Sequence, residues 1–313
     1  MTEALTSSRA LPRLSLGTVI TVGTFDGVHL GHRAILSRVA RRAAERSLPS
    51  VLVTFEPHPL AIVNPAAAPQ LLSTTMEKLD LVAECGVDYA VVLPFTPSLA
   101  ALDPSAFVEK ILLDRYCLRE LLIGHDHGFG RGRSGDVHVL RQLGEQFDFT
   151  VDMVEAVSVD GAPVSSSSIR RAVANGDLEG ARRALGRRYS FSGRVGHGDQ
   201  RGARLGFPTL NIALGSPRKL LPPIGVYAVL LESKRGAFGG MMNLGPRPTF
   251  DDPALSLEVH LFDAMGDWYG SPVRVEFVSR LRDTIRFDSA DALVAQLRAD
   301  EHAARAALTQ IKA

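Results

Sequence analysis

The chain has 313 residues, 45% hydrophobic and 22% charged, with a formal net charge of +1; this allows two domains of ordinary globular composition. The near-neutral balance excludes a general polyanion-binding surface, and two cysteines, Cys85 and Cys117, exclude a disulfide framework or a thiolate metal site and fit a reducing cytoplasm. No apolar run approaches the roughly 20 residues that span a bilayer, and residues 1–14 read as a loose leader without a signal-peptide pattern.

Thr18 to Val22 reads as a strand. Arg33 to Arg46 follows as a helix, with Ile35, Leu36, Val39, Ala40 and Ala43 on one face. Val51 to Phe55 is a second strand, and Thr74 with Glu77 forms a capping box before a helix through Leu79, Leu81 and Val82. Val87 to Leu93 is a third strand; Asp103 and Pro104 then read as N-cap and first position of a helix over Ser105 to Tyr116. A fourth strand (Leu121 to Ile123), a glycine-rich loop, a helix (Val137 to Gln146) and a fifth strand (Phe149 to Val154) complete the alternation. This pattern predicts a doubly wound parallel sheet with its ligand at the strand carboxyl ends.

Short helices over Ser168 to Ala174 and Leu178 to Leu185, joined at Asn175-Gly176, lead to a change of character after Gly186. Five strand-like pieces follow: Tyr189 to Val195, Gly225 to Leu231, Gly239 to Asn243, Leu257 to Phe262 and Val273 to Phe277. Gly and Pro clusters separate them, as in a small antiparallel barrel. A last helix from Ala290 to about Ala307 offers Leu293, Val294, Leu297 and Ala304 to close it. The boundary falls near 186, giving expected domains over 15–186 and 187–313.

Three segments lie where a parallel sheet presents its active edge. Gly23-Thr24-Phe25-Asp26-Gly27-Val28-His29-Leu30-Gly31-His32 joins a strand to a helix, where turn amides and the helix N-terminus meet phosphate oxygens. Alone, such a histidine pair caps and packs as readily as it binds an anion, and no third ligand of suitable spacing makes it a zinc site. Phe55-Glu56-Pro57-His58-Pro59 follows a strand and offers an aromatic and a histidine to a flat ligand, or is an ordinary proline turn. The third segment pairs the basic loop Gly124 to Asp136 with Val164-Ser165-Ser166-Ser167-Ser168-Ile169-Arg170, which sets hydroxyls and an arginine at a helix start.

These stretches (GTFDGVHLGH, FEPHP, FGRGRSGD and SSSSIR) resemble the adenylyltransferase module of the bacterial bifunctional riboflavin kinase/FAD synthetases, which are HxGH nucleotidyltransferases. The resemblance implies that His29 and His32 bind ATP phosphates and stabilise charge as FMN attacks the α-phosphorus. It implies further ATP contacts at Gly23, Phe25, Asp26, Ser165, Ser166, Ser167 and Arg170, and flavin contacts at Phe55, Pro57, His58 and Asp126. Ser167 stands where the family has threonine, and His127-Gly128 stand where it has an aromatic and a larger residue, which bears on the flavin site.

In the second half, Gly193 to Asn211 carries glycines that let amides approach phosphates, and Thr209 and Asn211 offer oxygens suited to Mg²⁺ with ATP. Glu258, in an otherwise apolar strand, shares a face with His260, opposite Leu257 and Val259. Alone, that is also what an exposed strand face looks like. The segments resemble the riboflavin kinase module of the same family, with Pro208-Thr209-Leu210-Asn211 as its Pro-Thr-x-Asn signature. That resemblance makes Glu258 the general base, Thr209 and Asn211 the Mg²⁺ ligands, and Gly193, Gly202, Gly206, Thr209 and Asn211 the ATP site. Leu210, Asp283 and Ile285 depart from the usual Ala, Glu and Met.

The resemblance runs from about residue 17 to 305 and implies an enzyme that makes FMN from riboflavin and FAD from FMN, using two ATP. One alternative keeps both folds but a single activity. Another, a flavin- or nucleotide-sensing regulator on nucleic acid, is disfavoured by the neutral charge and the lack of a basic stripe. No membrane partner is expected, and oligomeric state is not legible.

Overall fold

The structure, a computed structural model, describes residues 3–6, 16–125, 135–198, 202, 205–246 and 255–312. The chain divides into two compact units, Met1–Ser166 and Ser167–Ala313.

The first unit is a parallel sheet of six strands: β1 (Glu3–Thr6), β2 (Thr18–Val22), β3 (Ser50–Glu56), β4 (Tyr89–Pro94), β5 (Leu118–Gly124) and β6 (Thr150–Val154), in the order β1-β4-β3-β2-β5-β6. Five of these match the strands read from sequence. The sixth lies inside the stretch read as a leader, where Glu3–Thr6 pairs with the otherwise open edge of β4. The strands are continuous apolar runs because both faces are covered. Ile20, Val51, Val53, Leu121 and Ile123 pack on one face against Phe107, Ile111 and Leu140. The alternate residues Val19, Leu52 and Leu122 face Leu36, Val39 and Ala43 of α1 (Leu30–Arg46) and Leu81 and Val82 of α2 (Thr75–Ala83).

Local chemistry sets the helix ends. The Thr74–Glu77 capping box forms in both directions, and Asp103 accepts from the Ala106 amide at 2.8 Å with Pro104 in the first turn. The helical run from Pro104 to Tyr116 has π-type spacing over Val108–Leu113. Glu120 of β5, 1% exposed, receives Arg42 at 2.9 Å and Arg46 at 2.8 Å from α1. Helix α3 (Val137–Phe147) precedes β6 and is capped by Asp136, which accepts from the His138 and Val139 amides. A two-strand hairpin, β7 (Ser158–Val159) and β8 (Ala162–Pro163), leads towards the serine run.

The order reverses between β2 and β5, so the switch point of the sheet lies at their carboxyl ends. Gly23 to His29 leaves β2 there.

The second unit opens within α4 (Ser166–Ala174), one residue past its start, and continues with α5 (Leu178–Leu185). A closed antiparallel barrel follows: β9 (Ser190–Gly196), β10 (Leu210–Leu214), β11 (Gly225–Ser233), β12 (Gly236–Pro246), β13 (Leu255–Leu261) and β14 (Pro272–Arg282), ordered β10-β13-β12-β11-β14-β9. Five of these strands match those expected from sequence, and β10 lies within the Gly193–Asn211 motif and just beyond it. Gly193 belongs to β9, and a Cβ there would come 2.4 Å from the Ala213 carbonyl oxygen, so the β9–β10 approach requires glycine.

Helix α6 (Ala290–Lys312) sets Val294, Leu297, Ala304 and Leu308 against Ala228, Met241 and Phe262 of the barrel. Beside this contact Arg282 holds the 3%-exposed Asp300 through two nitrogens at 2.8 and 2.6 Å, and Gln296 adds a bond at 2.8 Å. Removing one partner strands a buried charge. Arg282→Ala, which leaves the buried Asp300 carboxylate without its cation, is therefore expected to destabilise the second unit by about 3–5 kcal/mol, read as a lowered denaturant midpoint of its unfolding transition.

Candidate active sites

The first site grows from the turn after β2. Phe25, Gly27 and Val28 all have positive φ (47°, 81° and 38°), so the chain folds back tightly before α1. The buried Asp26 carboxylate accepts from the Leu72 and Ser73 amides at 3.0 and 2.9 Å, and Ser73 Oγ accepts from the Gly27 amide at 2.9 Å. Asp26 thus clamps the turn to the segment before α2. Its own carbonyl accepts from Ser166 Oγ at 2.9 Å, which ties Ser166 to the same turn.

His29 is the N-cap of α1: its Nδ1 accepts from the His32 amide at 3.3 Å. In the neutral ring this leaves the proton on Nε2. The His29 and His32 rings stack at 3.6 Å between centroids and 18°, and Phe25 lies 4.7 Å from His32. Gly31 leaves room for the stack, because a Cβ there would sit 3.2 Å from His29 Cε1 and crowd the ring. The spacing therefore has a steric reason: two imidazoles share one face of a helix start whose amides carry partial positive charge.

A small cavity beside the turn is lined by Asp26, Phe55, Glu56, His58, Ser73 and Lys78, among others. Phe55 and His58 therefore line the same cavity as Asp26. Phe55 is also core, 9% exposed and edge-on to Phe95 at 5.3 Å. His58 Nδ1 accepts from the Leu60 amide at 3.2 Å, and the Glu56–Pro57 peptide is cis. Asp126, with His127 and Gly128, lies outside the described residues. Ser165 is half-buried just before α4; Ser167 and Arg170 lie on α4 in the second unit, Ser167 exposed and Arg170 half-buried.

Lys78 escaped the sequence reading. Its Nζ, on a residue 6% exposed, donates to the Thr24 carbonyl at 3.0 Å and to Thr54 Oγ1 at 2.9 Å, while the Thr54 hydroxyl donates to that carbonyl at 3.2 Å. Burial pulls its ammonium below the ordinary lysine range, and the carboxylates of Asp26 and Glu56 partly restore it. The available signal was its place at helical spacing with Leu81 and Val82, a charge in an apolar register. A larger cleft of about 500 Å³, lined in part by Arg46, Arg119 and Asp148, lies at the amino ends of β5 and β6. That is the wrong end of the sheet for ligand chemistry, and Arg46 and Arg119 are engaged by Glu120 and Asp148.

The second site lies on the barrel. Register sets Glu258 of β13 opposite Asn211 of β10 on one side and Asn243 of β12 on the other. Residues opposed in this way share a sheet face, so a carboxylate stands between two amides. Leu257 and Val259, 5% and 0% exposed, point the other way. Ser256 Oγ donates to Glu258 Oε1 at 2.9 Å. The His260 ring N–H donates from Nδ1 to the Pro208 carbonyl at 2.8 Å, fixing the residue before Thr209. The Gly202 carbonyl accepts from the Leu205 and Phe207 amides, and Gly206, with φ 84°, turns the chain into Phe207-Pro208-Thr209. Asn243 was unassigned from sequence, since only strand register reveals it. Asp283 engages Arg280 at 2.5 Å, and Ile285 is 51% exposed.

A helix-start histidine pair at a doubly wound switch point and a carboxylate between two asparagines on a small barrel are two separate sets of reactive groups. The class they define is an ATP-dependent transferase with two catalytic modules. Residues 12–168 match the family model described as FAD synthetase, and residues 185–308 the one described as riboflavin kinase. A bifunctional riboflavin kinase/FMN adenylyltransferase of Escherichia coli K12 is 39% identical over 290 residues, 92% of each chain. One from Pseudomonas fluorescens is 40% identical over 291 residues, 93% of each. The chain belongs to the bifunctional riboflavin kinase/FMN adenylyltransferase family. It phosphorylates riboflavin to FMN and adenylylates FMN to FAD, with ATP as co-substrate.

A solved structure described as a macrolide-efflux protein from Streptococcus pneumoniae has a TM-score of 0.85 and 30% identity, over 96% of this chain and 98% of its own. The likeness is one of fold: no helix among the described residues here is long and apolar enough to cross a membrane.

Proposed function

We propose that the two reactions divide at residue 186, adenylyl transfer belonging to 15–186 and riboflavin phosphorylation to 187–313. The observation that carries this reading is that each half gathers its own reactive set, the stacked His29–His32 pair in one and Glu258 between two asparagines in the other.

In adenylyl transfer an FMN phosphate oxygen attacks the α-phosphorus of ATP, the bond to the bridging oxygen breaks, and pyrophosphate leaves. No covalent enzyme intermediate is needed, so catalysis is alignment and charge stabilisation. His29 and His32 donate to the phosphate oxygens. Gly23, Phe25 and Asp26 shape the turn, Ser165, Ser166, Ser167 and Arg170 grip the nucleotide, and Phe55, Pro57, His58 and Asp126 bound the flavin.

In the kinase reaction the riboflavin 5′-hydroxyl attacks the γ-phosphorus, Glu258 takes its proton, and ADP leaves. Gly193, Gly202 and Gly206 set the backbone path of the ATP site. Thr209 and Asn211 supply neutral hard oxygens, a donor set that suits Mg²⁺ when phosphates bring the negative charge. Among the described residues no group of three His, Cys, Asp or Glu side chains could hold a metal ion. When bound, Mg²⁺ neutralises phosphate charge. Two free cysteines and ATP-dependent chemistry support a cytoplasmic setting.

Chelation by EDTA is expected to stop FMN formation. Thr209→Ala is expected to raise the Mg²⁺ concentration for half-maximal phosphorylation about 10-fold or more and to leave adenylylation of supplied FMN unchanged. A product-resolved assay with riboflavin, ATP and titrated Mg²⁺ reads both. An unshifted Mg²⁺ requirement would remove Thr209 from the metal site.

A further inference from the structure

We propose that Lys78 is a positioning residue for adenylyl transfer, placing a buried positive charge behind the Gly23–His32 turn so that its peptide groups meet phosphate in a fixed, polarised state. The ammonium donates to the carbonyl of Thr24 at 3.0 Å and to Thr54 Oγ1 at 2.9 Å, and the Thr54 hydroxyl donates to the same carbonyl at 3.2 Å. The triangle is closed, so the carbonyl has one orientation. The amide of that peptide belongs to Phe25, whose φ of 47° places it in the tight fold-back before His29. A cation on the carbonyl end polarises the peptide and makes the N–H end a stronger donor to an anion.

Burying an ammonium is costly when its hydrogen-bond partners are two neutral oxygens. Methionine at this helical register would fill the space without that cost. The carboxylates facing Lys78 are Asp26 from the turn and Glu56 from the end of β3. Asp26 is committed to the Leu72 and Ser73 amides, and Glu56 to the Thr75 hydroxyl. Those bonds leave both carboxylates charged, so their field supports the ammonium while its direct hydrogen-bond partners stay neutral.

This inference rests on the reading that the Gly23–His32 turn holds the phosphates of ATP. Lys78→Met is expected to lower kcat for adenylylation of supplied FMN about 10–100-fold, the worth of one hydrogen bond to a charged group. Affinity for a non-hydrolysable ATP analogue stays within about 3-fold, since the loss falls on the transition state. Riboflavin phosphorylation by the same molecule stays at the wild-type rate. Lys78→Arg, which keeps the charge, recovers most of the kcat.

A second readout uses the wild-type protein. Its adenylylation kcat falls as pH rises through a limb below the ordinary lysine range, which the arginine variant lacks and the kinase reaction does not share. A wild-type kcat in Lys78→Met overturns the proposal. If that variant does not fold, an alkaline profile without the limb overturns it instead. If adenylylation survives loss of both His29 and His32, the phosphate-site reading itself fails. Loss there with an unaffected Lys78→Met removes only the lysine's role.

Discussion

Glu258→Gln is expected to lower riboflavin phosphorylation by about 10²–10⁴-fold, the span a general base contributes, and to leave adenylylation of supplied FMN at the wild-type rate. Glutamine has the shape of glutamate and keeps an oxygen to accept from Ser256 Oγ, which donates to Glu258 at 2.9 Å. The flanking amides, Asn211 and Asn243, remain in register because backbone pairing sets them. What disappears is the acceptor for the 5′-hydroxyl proton. The loss therefore belongs to kcat, with little change in KM for riboflavin or in the barrel's unfolding midpoint. A kinase rate within a few-fold of wild type would take the base role from Glu258.

The joint change His29→Ala with His32→Ala is expected to do the reverse. Removing one donor aimed at developing charge costs about 10²–10³-fold, so adenylylation falls by at least that factor while FMN still forms from riboflavin. His29 also caps α1, and losing a cap costs about 0.5–2 kcal/mol, so a stability effect must be separated from a chemical one. His29→Asn does this. Asparagine keeps an acceptor for the His32 amide and lacks the Nε2 proton. It should hold the melting temperature and still lose adenylylation, as measured by pyrophosphate release. Full activity in His29→Asn would reduce His29 to a helix cap.

What was legible in the sequence is what local rules decide. The Thr74–Glu77 box, the Asp103-Pro104 start and the Leu178–Leu185 helix formed as read, because their determinants lie within a few residues. The doubly wound sheet was legible because buried parallel strands are apolar runs flanked by amphipathic helices. Strand β10 is not legible locally because Leu210–Leu214 follows a proline and a glycine cluster and takes its hydrogen bonds from β9 and β13, outside its own segment. Strand β1 is four residues without an apolar run, and it exists by pairing with the edge of β4.

The same division holds at the sites. The histidine pair was visible as a motif, but the reason for Gly31, a ring lying over it, needed the fold. Glu258 stood out as a charge in an apolar strand, whereas Asn243 opposite it is a matter of register. Lys78 left a trace in helical spacing, yet its partners Thr24 and Thr54 come from two other segments. Side chains whose roles depend on distant backbone are those that sequence alone does not place.

The central claim, one activity per half of the chain with FMN as the shared intermediate, is tested most directly by mixing two variants. Glu258→Gln makes FMN only at its residual rate, and the His29→Ala, His32→Ala chain makes FMN but converts it to FAD only at its residual rate. Each alone, given riboflavin, ATP and Mg²⁺, is expected to yield FAD at least about 100-fold more slowly than the wild type, and an equimolar mixture is expected to yield FAD far faster than either, after a lag while FMN accumulates. FAD at a near-wild-type rate from either variant alone, or a mixture as slow as its parts, would contradict the account.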